Sequence, residues 1–146
     1  MRAPGKGLIK VSSILLFIVA LVSAVVLLTG DLLPRASVAA RGIGRFSAVT
    51  SVVVQALPIA AALAAGLAGL LLSGRPKAGA ALVVLGLAAL VAAAVPFLVS
   101  LVRLGFAWNR NWYHVASFVP PLLYLAGALL NQAAANRPEP EPEFDN

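Results

Sequence analysis

One stretch of this chain, from Phe46 to Gly74, holds 29 residues without a single Lys, Arg, Asp or Glu. As an α-helix rising ~1.5 Å per residue it would extend roughly 43 Å, whereas the hydrocarbon core of a bilayer is about 30 Å thick. A helix of this length crosses a membrane even when it is tilted or kinked. This stretch therefore decides the class of the protein, although it does not decide its activity.

Three more uncharged stretches have the same character, at residues 11–30, 78–102 and 111–136. Each exceeds the ~18 apolar residues that mark a transmembrane helix. Only 11% of the 146 residues are charged, against about 25% in soluble domains. The sequence therefore predicts an all-α protein, a four-helix transmembrane bundle with short loops. The predicted membrane domain covers residues 1–136, with spans at about 11–30, 46–73, 78–102 and 113–135.

The end of the chain differs from the rest in composition. Residues 137–146 begin with Arg, alternate Pro with Glu, and finish in Phe-Asp-Asn. Acidic, proline-rich segments of this kind cannot bury enough apolar surface to fold. We expect a disordered acidic tail.

The net charge of +6 comes from cations that flank the apolar stretches. No basic helix or basic patch with interleaved aromatic residues is present, as nucleic-acid binding would require. We therefore expect the lipid bilayer as the partner of these cations, and no nucleic acid. The chain has no Cys, which excludes disulfides, thiolate ligands and a cysteine nucleophile.

The first uncharged stretch has two interpretations. Arg2, Lys6 and Lys10 precede it, and Val38–Ala40 offers the small residues of a signal-peptide cleavage site. Apolar segments of signal peptides run about 7–15 residues, whereas this stretch has 20. We expect an uncleaved first span, with a cleaved signal peptide as the alternative.

The distribution of Lys and Arg bears on orientation, because these residues favour the cytoplasmic side. Four spans put both chain ends on one side, which carries six cations against five on the other. Three cations precede the first span, which usually dominates. We expect a multi-pass protein of the cell membrane with both termini in the cytoplasm.

Small residues recur at every fourth position of the second span, at Ala61, Ala65 and Gly69. Small side chains let helix backbones approach closely inside a membrane. This strip is the helix-packing face that the sequence predicts.

Polar side chains inside the spans are few. Gln55 lies three residues before a proline in the second span, and the fourth span contains Tyr124 and Asn131 after the tandem prolines Pro120 and Pro121. The prolines predict kinks or breaks. Such polar groups either bond neighbouring helices together or form a polar path for a substrate past Gln55, Tyr124 and Asn131.

Aromatic residues cluster before the fourth span, where Trp108, Trp112 and Tyr113 lie next to the single His114. Trp and Tyr concentrate at membrane–water interfaces, so we expect these three residues to be interface anchors. A lipid-headgroup or partner site is the alternative. His114 alone cannot form a metal site, and the sequence offers it no partner ligands.

The acidic residues all lie outside the spans, at Asp31 and in the tail. Proton-coupled transporters usually need an ionisable group within the membrane. The chain also lacks a carboxylate pair for acid–base catalysis, a Gly-x-Ser-x-Gly motif, a His-Glu-x-x-His motif and a glycine-rich phosphate loop. We therefore expect neither an enzyme nor a bound cofactor or metal.

Two segments, Gly5–Val11 and Pro120–Asn131, together with the span pattern, resemble small uncharacterised four-span membrane proteins of Gram-positive bacteria. The likeness covers about a fifth of the residues, and its motifs are of low specificity, since apolar stretches resemble each other by composition. It implies a protein of a bacterial plasma membrane without a known activity, and it adds no catalytic residue.

Two functions are compatible with these features. The first hypothesis is a non-enzymatic structural or accessory subunit that packs its helices against itself or a larger membrane complex, with the Ala61, Ala65 and Gly69 strip and the kinked fourth span as contact surfaces. The alternative is a small channel or carrier for a neutral or lipid-like substrate, with the polar residues of the spans along its path.

Overall fold

The computed structural model describes residues 3–32, 45–105 and 107–137, and within these residues every regular element is helical. The helices are α1 (Lys6–Val26), α2 (Arg45–Leu72), α3 (Gly79–Leu104), α4 (Trp108–Ser117) and α5 (Val119–Ala135). A π-helical turn, Leu27–Leu32, continues α1, and a 3-10 turn, Pro76–Ala78, precedes α3. The Val38–Ala40 stretch and the acidic tail beyond Arg137 lie outside the described residues.

Four helical segments of the described chain are long enough and apolar enough to cross a membrane: Lys6–Thr29, Val52–Leu72, Gly79–Val102 and Trp112–Ala135. The predicted four-helix transmembrane bundle is confirmed. The first helix begins at Lys6 rather than at Val11, because Lys6 and Lys10 are exposed and long cationic side chains can lie along a helix while their charges stay in the headgroup region.

The spans form a ring in which each packs against two others. Helix α1 packs against α2 and α5, and α3 packs against the same two helices. Residues 73–78 make a tight turn between α2 and α3, so these two run antiparallel. The backbone N–H of Gly5 bonds to the side chain of Asn131, which brings the start of α1 to the end of α5. Both ends of the bundle domain thus lie together.

The prolines affect the spans differently. The fourth span is interrupted at Phe118, which separates α4 from α5. Pro120 and Pro121 lie in the first turn of α5, where a missing N–H leaves no hydrogen bond unmade. Pro58 and Pro96 instead lie inside α2 and α3, which stay helical across them. Only the tandem prolines therefore break a span within the described residues.

Apolar side chains cover the outside of the bundle. Leu71 is 69% exposed and Val102 is 85% exposed, an arrangement that suits a lipid environment and would be costly in water. The buried core includes Ile9, Leu82 and Tyr124, which lie in the half of the bundle that holds the chain ends.

Candidate functional site

A cavity of about 710 Å³ lies between the four spans. All four line it, through residues that fall within 16–26 of α1, 54–62 of α2, 89–100 of α3 and 112–121 of α4 and α5. These are the second half of α1, the first half of α2, the second half of α3 and the beginning of the fourth span. The cavity therefore occupies the half of the bundle away from the chain ends, which we call the cavity half. Its volume is within the ~300–1,000 Å³ typical of small-molecule sites.

The lining of the cavity is largely apolar and uncharged. Its polar side chains include Ser23, Gln55, Ser100, His114 and Ser117. Among the described residues that line it, none is an acid, a lysine or an arginine. Because an unpaired charge in an apolar site is very costly, such a cavity suits an uncharged, mainly apolar ligand.

Prolines and alanines explain why the helices leave this space. Pro58, Pro96 and Pro121 come from three different spans, and all three line the cavity. Pro58 and Pro96 lie inside their helices, where a proline leaves the carbonyl four residues earlier without its usual partner and bends the helix locally, whereas Pro121 lies just after the break in the fourth span. Ala62 and Ala89 line the deeper part with side chains too short to fill it.

His114 is held in the wall of the cavity by aromatic rings. Its imidazole is centred 3.9 Å from the ring of Tyr113 and 6.2 Å from that of Phe97, and the residue is only 9% exposed. Phe97 also makes an edge contact with Phe118, at 5.8 Å between centroids. Within the described part of the chain, the imidazole of His114 contacts the rings of Tyr113 and Phe97, and no hydrogen bond to its nitrogens is found. The hydroxyl of Ser117 donates to the backbone carbonyl of His114 at 2.6 Å.

The opposite half of the bundle contains Gly5, Ser73 and Asn131, and we call it the closed half. The side-chain amide of Asn131 joins its segments by hydrogen bonds. Asn131 Oδ1 accepts from the backbone N–H of Gly5 at 2.8 Å, and Asn131 Nδ2 donates to the carbonyl of Ser73 at 3.0 Å. This side chain thereby connects the start of α1, the turn between α2 and α3, and α5. Both bonds are buried, where hydrogen bonds are least exposed to competing water.

Tyr124 fills the centre of the bundle between the two halves. A Cβ built on Gly69 would lie 2.5 Å from Tyr124 Cε2, and one built on Gly86 would lie 3.0 Å from Tyr124 Cδ1. Only glycine leaves room for the ring at Gly69. Among the described residues, the hydroxyls of Tyr124 and Ser13 are buried without a hydrogen-bond partner. Tyr124 lies one helical turn beyond Pro121, the last residue of the fourth span that lines the cavity.

The small-residue strip of α2 faces the interior of the bundle. Ala65 is fully buried in the core, Gly69 is buried against Ile9, Ser13 and Tyr124, and Ala61 is half-buried. The strip therefore packs within the bundle and leaves little surface for another chain.

The three residues of the predicted polar path do not come together. Gln55 lines the cavity and has a contact within the protein. Tyr124 and Asn131 are fully buried, and Asn131 belongs to the closed half. Along the fourth span, Tyr124 lies below the cavity and Asn131 lies two turns farther on. A continuous route through these three residues would have to pass the tyrosine ring.

The predicted anchors, Trp108, Trp112 and Tyr113, are exposed on α4. Trp112 and Tyr113 also line the cavity, beside His114 and Ser117. The sequence did not reveal that His114 belongs to a site. The available signal was the helical spacing, because residues three and four apart share a face of a helix. His114 and Ser117 are three apart, and both line the cavity.

Comparison with protein-family models, with curated proteins and with solved structures finds no match to this chain. Within the described residues, no group of three His, Cys, Asp or Glu side chains is arranged to hold a metal ion. The shape and chemistry of the cavity are therefore the basis for a functional proposal.

Proposed function

We propose that this protein binds a neutral, lipid-like molecule in the cavity between its spans and acts as a small carrier or channel for it in a bacterial cell membrane. The observation that carries the proposal is the cavity of about 710 Å³, to which all four spans contribute. Its described lining is largely apolar and uncharged, which favours an uncharged ligand. The proposed function is non-enzymatic, because a carrier needs neither a nucleophile nor a pair of catalytic carboxylates.

The position of the cavity supports a substrate that arrives from the bilayer. Ile18 and Val26 both line the cavity and are 52% and 57% exposed. So large an exposed fraction indicates that α1 does not close the cavity on its side, which favours access from the bilayer. Lateral access suits a molecule dissolved in the membrane better than a solute dissolved in water.

The orientation proposed from the Lys and Arg distribution indicates in which leaflet of the membrane the cavity lies. With both termini in the cytoplasm, the closed half lies in the inner leaflet, because it holds the chain ends. The cavity half then lies in the outer leaflet. A carrier of this design would exchange its substrate with the outer leaflet first.

The competing function is an accessory subunit that packs against a partner. Its contact surfaces would be the strip of Ala61, Ala65 and Gly69 and the kinked fourth span. Ala65 and Gly69 are buried within the chain, so they are already engaged. The carrier function is therefore the better supported of the two.

Native mass spectrometry of the protein released gently from its own membrane tests the proposal. We expect the 14.9 kDa chain to retain an uncharged lipid. The variant Ala89→Phe, which places a ring in the cavity, should lower that retention by at least about tenfold, a change of about 1.4 kcal/mol.

Ala88→Phe is the matched control, because Ala88 is the exposed neighbour of Ala89 on the same helix. It should retain the lipid as the unmodified chain does. Equal retention by all three proteins would show that the cavity is not the binding site. Recovery of a second protein in fixed stoichiometry, with no lipid, would favour the accessory subunit.

A further inference from the structure

The polar side chains of the cavity lining lie toward one end of it. Ser23, Gln55, Ser100, His114 and Ser117 lie toward the loops at the open end of the bundle, which we call the head end, together with apolar residues such as Val26 and Val99. Leu16, Ala20, Ala62, Ala89 and Pro121 surround the deeper part, which we call the tail end. A ligand that matches this lining has one polar end and one apolar end.

His114 and Ser23 are the polar groups at the head end that are placed to receive a ligand, and we assign the ligand to His114 because neighbouring rings hold its imidazole in the wall. Gln55 and Ser100 already have contacts within the protein. The Ser117 hydroxyl donates to the carbonyl of His114. The imidazole contacts aromatic rings, Tyr113 and Phe97, which orient it without using its nitrogens.

The chemistry of imidazole specifies the kind of head group. A neutral imidazole has one N–H donor and one nitrogen acceptor, so it can bond a hydroxyl or a carbonyl. An anionic head, such as a phosphate or a carboxylate, would need a cation beside it, and the described lining contains no lysine or arginine. The described lining therefore favours an uncharged head.

The dimensions of the cavity limit the tail. A volume of about 710 Å³ suits a ligand of drug-like size, and this is closer to one acyl or alkyl chain with a small head than to a lipid with two chains. The tail end is lined by alanines, a leucine and a proline. These residues offer dispersion contacts to a chain and little to a polar group.

We infer that the ligand is a single-chain lipid with an uncharged hydroxyl- or carbonyl-bearing head, that this head hydrogen-bonds to the imidazole of His114, and that the tail lies between Ala62 and Ala89. This inference rests on the proposed function, because it names the substrate class of the same cavity. His114 is a ligand-binding residue in this arrangement and has no catalytic role.

Trp112 provides a reporter, since it lines the cavity beside His114. The background variant Trp108→Phe removes the other tryptophan, which is exposed and does not line the cavity. The protein is placed in phosphatidylcholine vesicles and titrated with a monoacylglycerol brominated in its acyl chain, whose bromines quench tryptophan at contact. A brominated alkane of the same length, which has no head, serves as the second probe.

Replacing His114 with Phe keeps an aromatic ring and removes both hydrogen-bonding nitrogens. We expect His114→Phe to weaken binding of the monoacylglycerol by about tenfold and to leave binding of the alkane unchanged. His114→Gln, which keeps a donor and an acceptor, should retain most of the affinity. Equal losses for both probes, or no loss for either, would overturn the assignment of His114 to the head group.

A fatty acid brominated in the same way, used at a pH where it is ionised, tests the charge of the head. We expect it to bind more weakly than the monoacylglycerol by at least about tenfold, because the described lining offers no cation. Tighter binding of the fatty acid would overturn an uncharged head.

The cavity variant separates failure of this inference from failure of the proposed function. Ala89→Phe should abolish quenching by both the monoacylglycerol and the alkane. If it does so while His114→Phe fails to distinguish the two probes, the cavity binds lipid and only the head assignment is wrong. If Ala89→Phe leaves both probes bound as before, the proposed function is wrong as well.

Discussion

The closed half and the cavity half of the bundle are made of the same apolar residue types, yet their helices approach to very different degrees. In the closed half, glycines at 69 and 86 let the ring of Tyr124 fit between α2 and α3, and Asn131 bonds three segments together. In the cavity half, three prolines and several alanines leave about 710 Å³ between the spans. Apolar composition makes each helix a span, whereas the placement of glycine, proline and alanine decides where the spans meet and where they leave a site.

The largest effect is expected from a methyl group at the tightest point of the closed half. A Cβ at Gly69 would meet Ser13 Oγ, Tyr124 Cε2 and Ile9 Cγ2. Overpacking of this kind costs about 3 kcal/mol, so Gly69→Ala should lower the free energy of unfolding, measured in detergent micelles, by that amount.

Gly7→Ala is the control for this substitution. Gly7 is exposed on α1, and an added Cβ there would have nothing within 4 Å. It should leave the free energy of unfolding unchanged or raise it slightly, because alanine is the better helix former. Equal stability of the two variants would mean that the closed half is no more tightly packed than the surface.

The amide of Asn131 provides the next largest effect. Asn131→Leu would leave the N–H of Gly5 and the carbonyl of Ser73 without their buried partner, at a cost of about 2 kcal/mol. Thermal unfolding followed by circular dichroism measures it. Asn136→Leu, at an exposed position at the end of α5, makes the same chemical change and should have little effect. If both variants lost similar thermal stability, the hydrogen bonds of Asn131 would not be what stabilises the closed half.

Two alanines of α2 compare the halves directly. Ala65 is fully buried in the core and Ala62 lines the cavity. Ala65→Leu should cost about 1–2 kcal/mol of unfolding free energy, whereas Ala62→Leu, which has room for its side chain, should cost less than about 0.5 kcal/mol. If Ala62→Leu lowered the unfolding free energy more than Ala65→Leu, the open space would not lie beside Ala62.

The same Ala65→Leu variant tests the accessory-subunit hypothesis. If this position contacted another chain, the substitution should reduce the oligomeric mass or the recovery of a partner. Because Ala65 is 0% exposed, we expect the fraction of unfolded chain to rise and the mass of the folded species to stay the same. Size-exclusion chromatography with light scattering distinguishes the two results.

The smallest effect is expected at the junction of α3 and α4. Gly105 has φ +68°, a conformation that side chains with a Cβ rarely adopt. An added Cβ would have nothing within 4 Å, so Gly105→Ala should cost about 1 kcal/mol through backbone strain alone. Faster hydrogen exchange in residues 108–117, with no change in α1, would show that the strain stays in the cavity half. A uniform increase over the whole bundle would contradict a local effect.

Much of the fold follows from the sequence because its physical causes are local. A charge-free stretch that is long enough becomes a span whatever surrounds it, and the tandem prolines 120 and 121 cannot continue a helix. The break at Phe118 lies just before them. The start of α1 is less predictable, because lysine is compatible both with a helix and with the headgroup region.

The candidate site is less predictable because it depends on how four helices are turned toward one another. Ala62 and Ala88 look alike in the sequence, yet one lines the cavity and the other is exposed. Gln55 and Asn131 were grouped by polarity, but they lie in different halves. His114 was considered only as a metal ligand without partners, since nothing local to it indicates that α4 presents it to a space that the other three spans enclose.

The bond between Gly5 and Asn131 also has a consequence for the way the protein is made. Its two partners are separated by 126 positions in the chain, so the contact forms only after the fourth helix has been synthesised and inserted. Until then, the first three helices lack the side chain that joins their ends. Completion of the bundle is thus the last event of its biogenesis, and chains truncated before α5 should be recognised and degraded as unassembled.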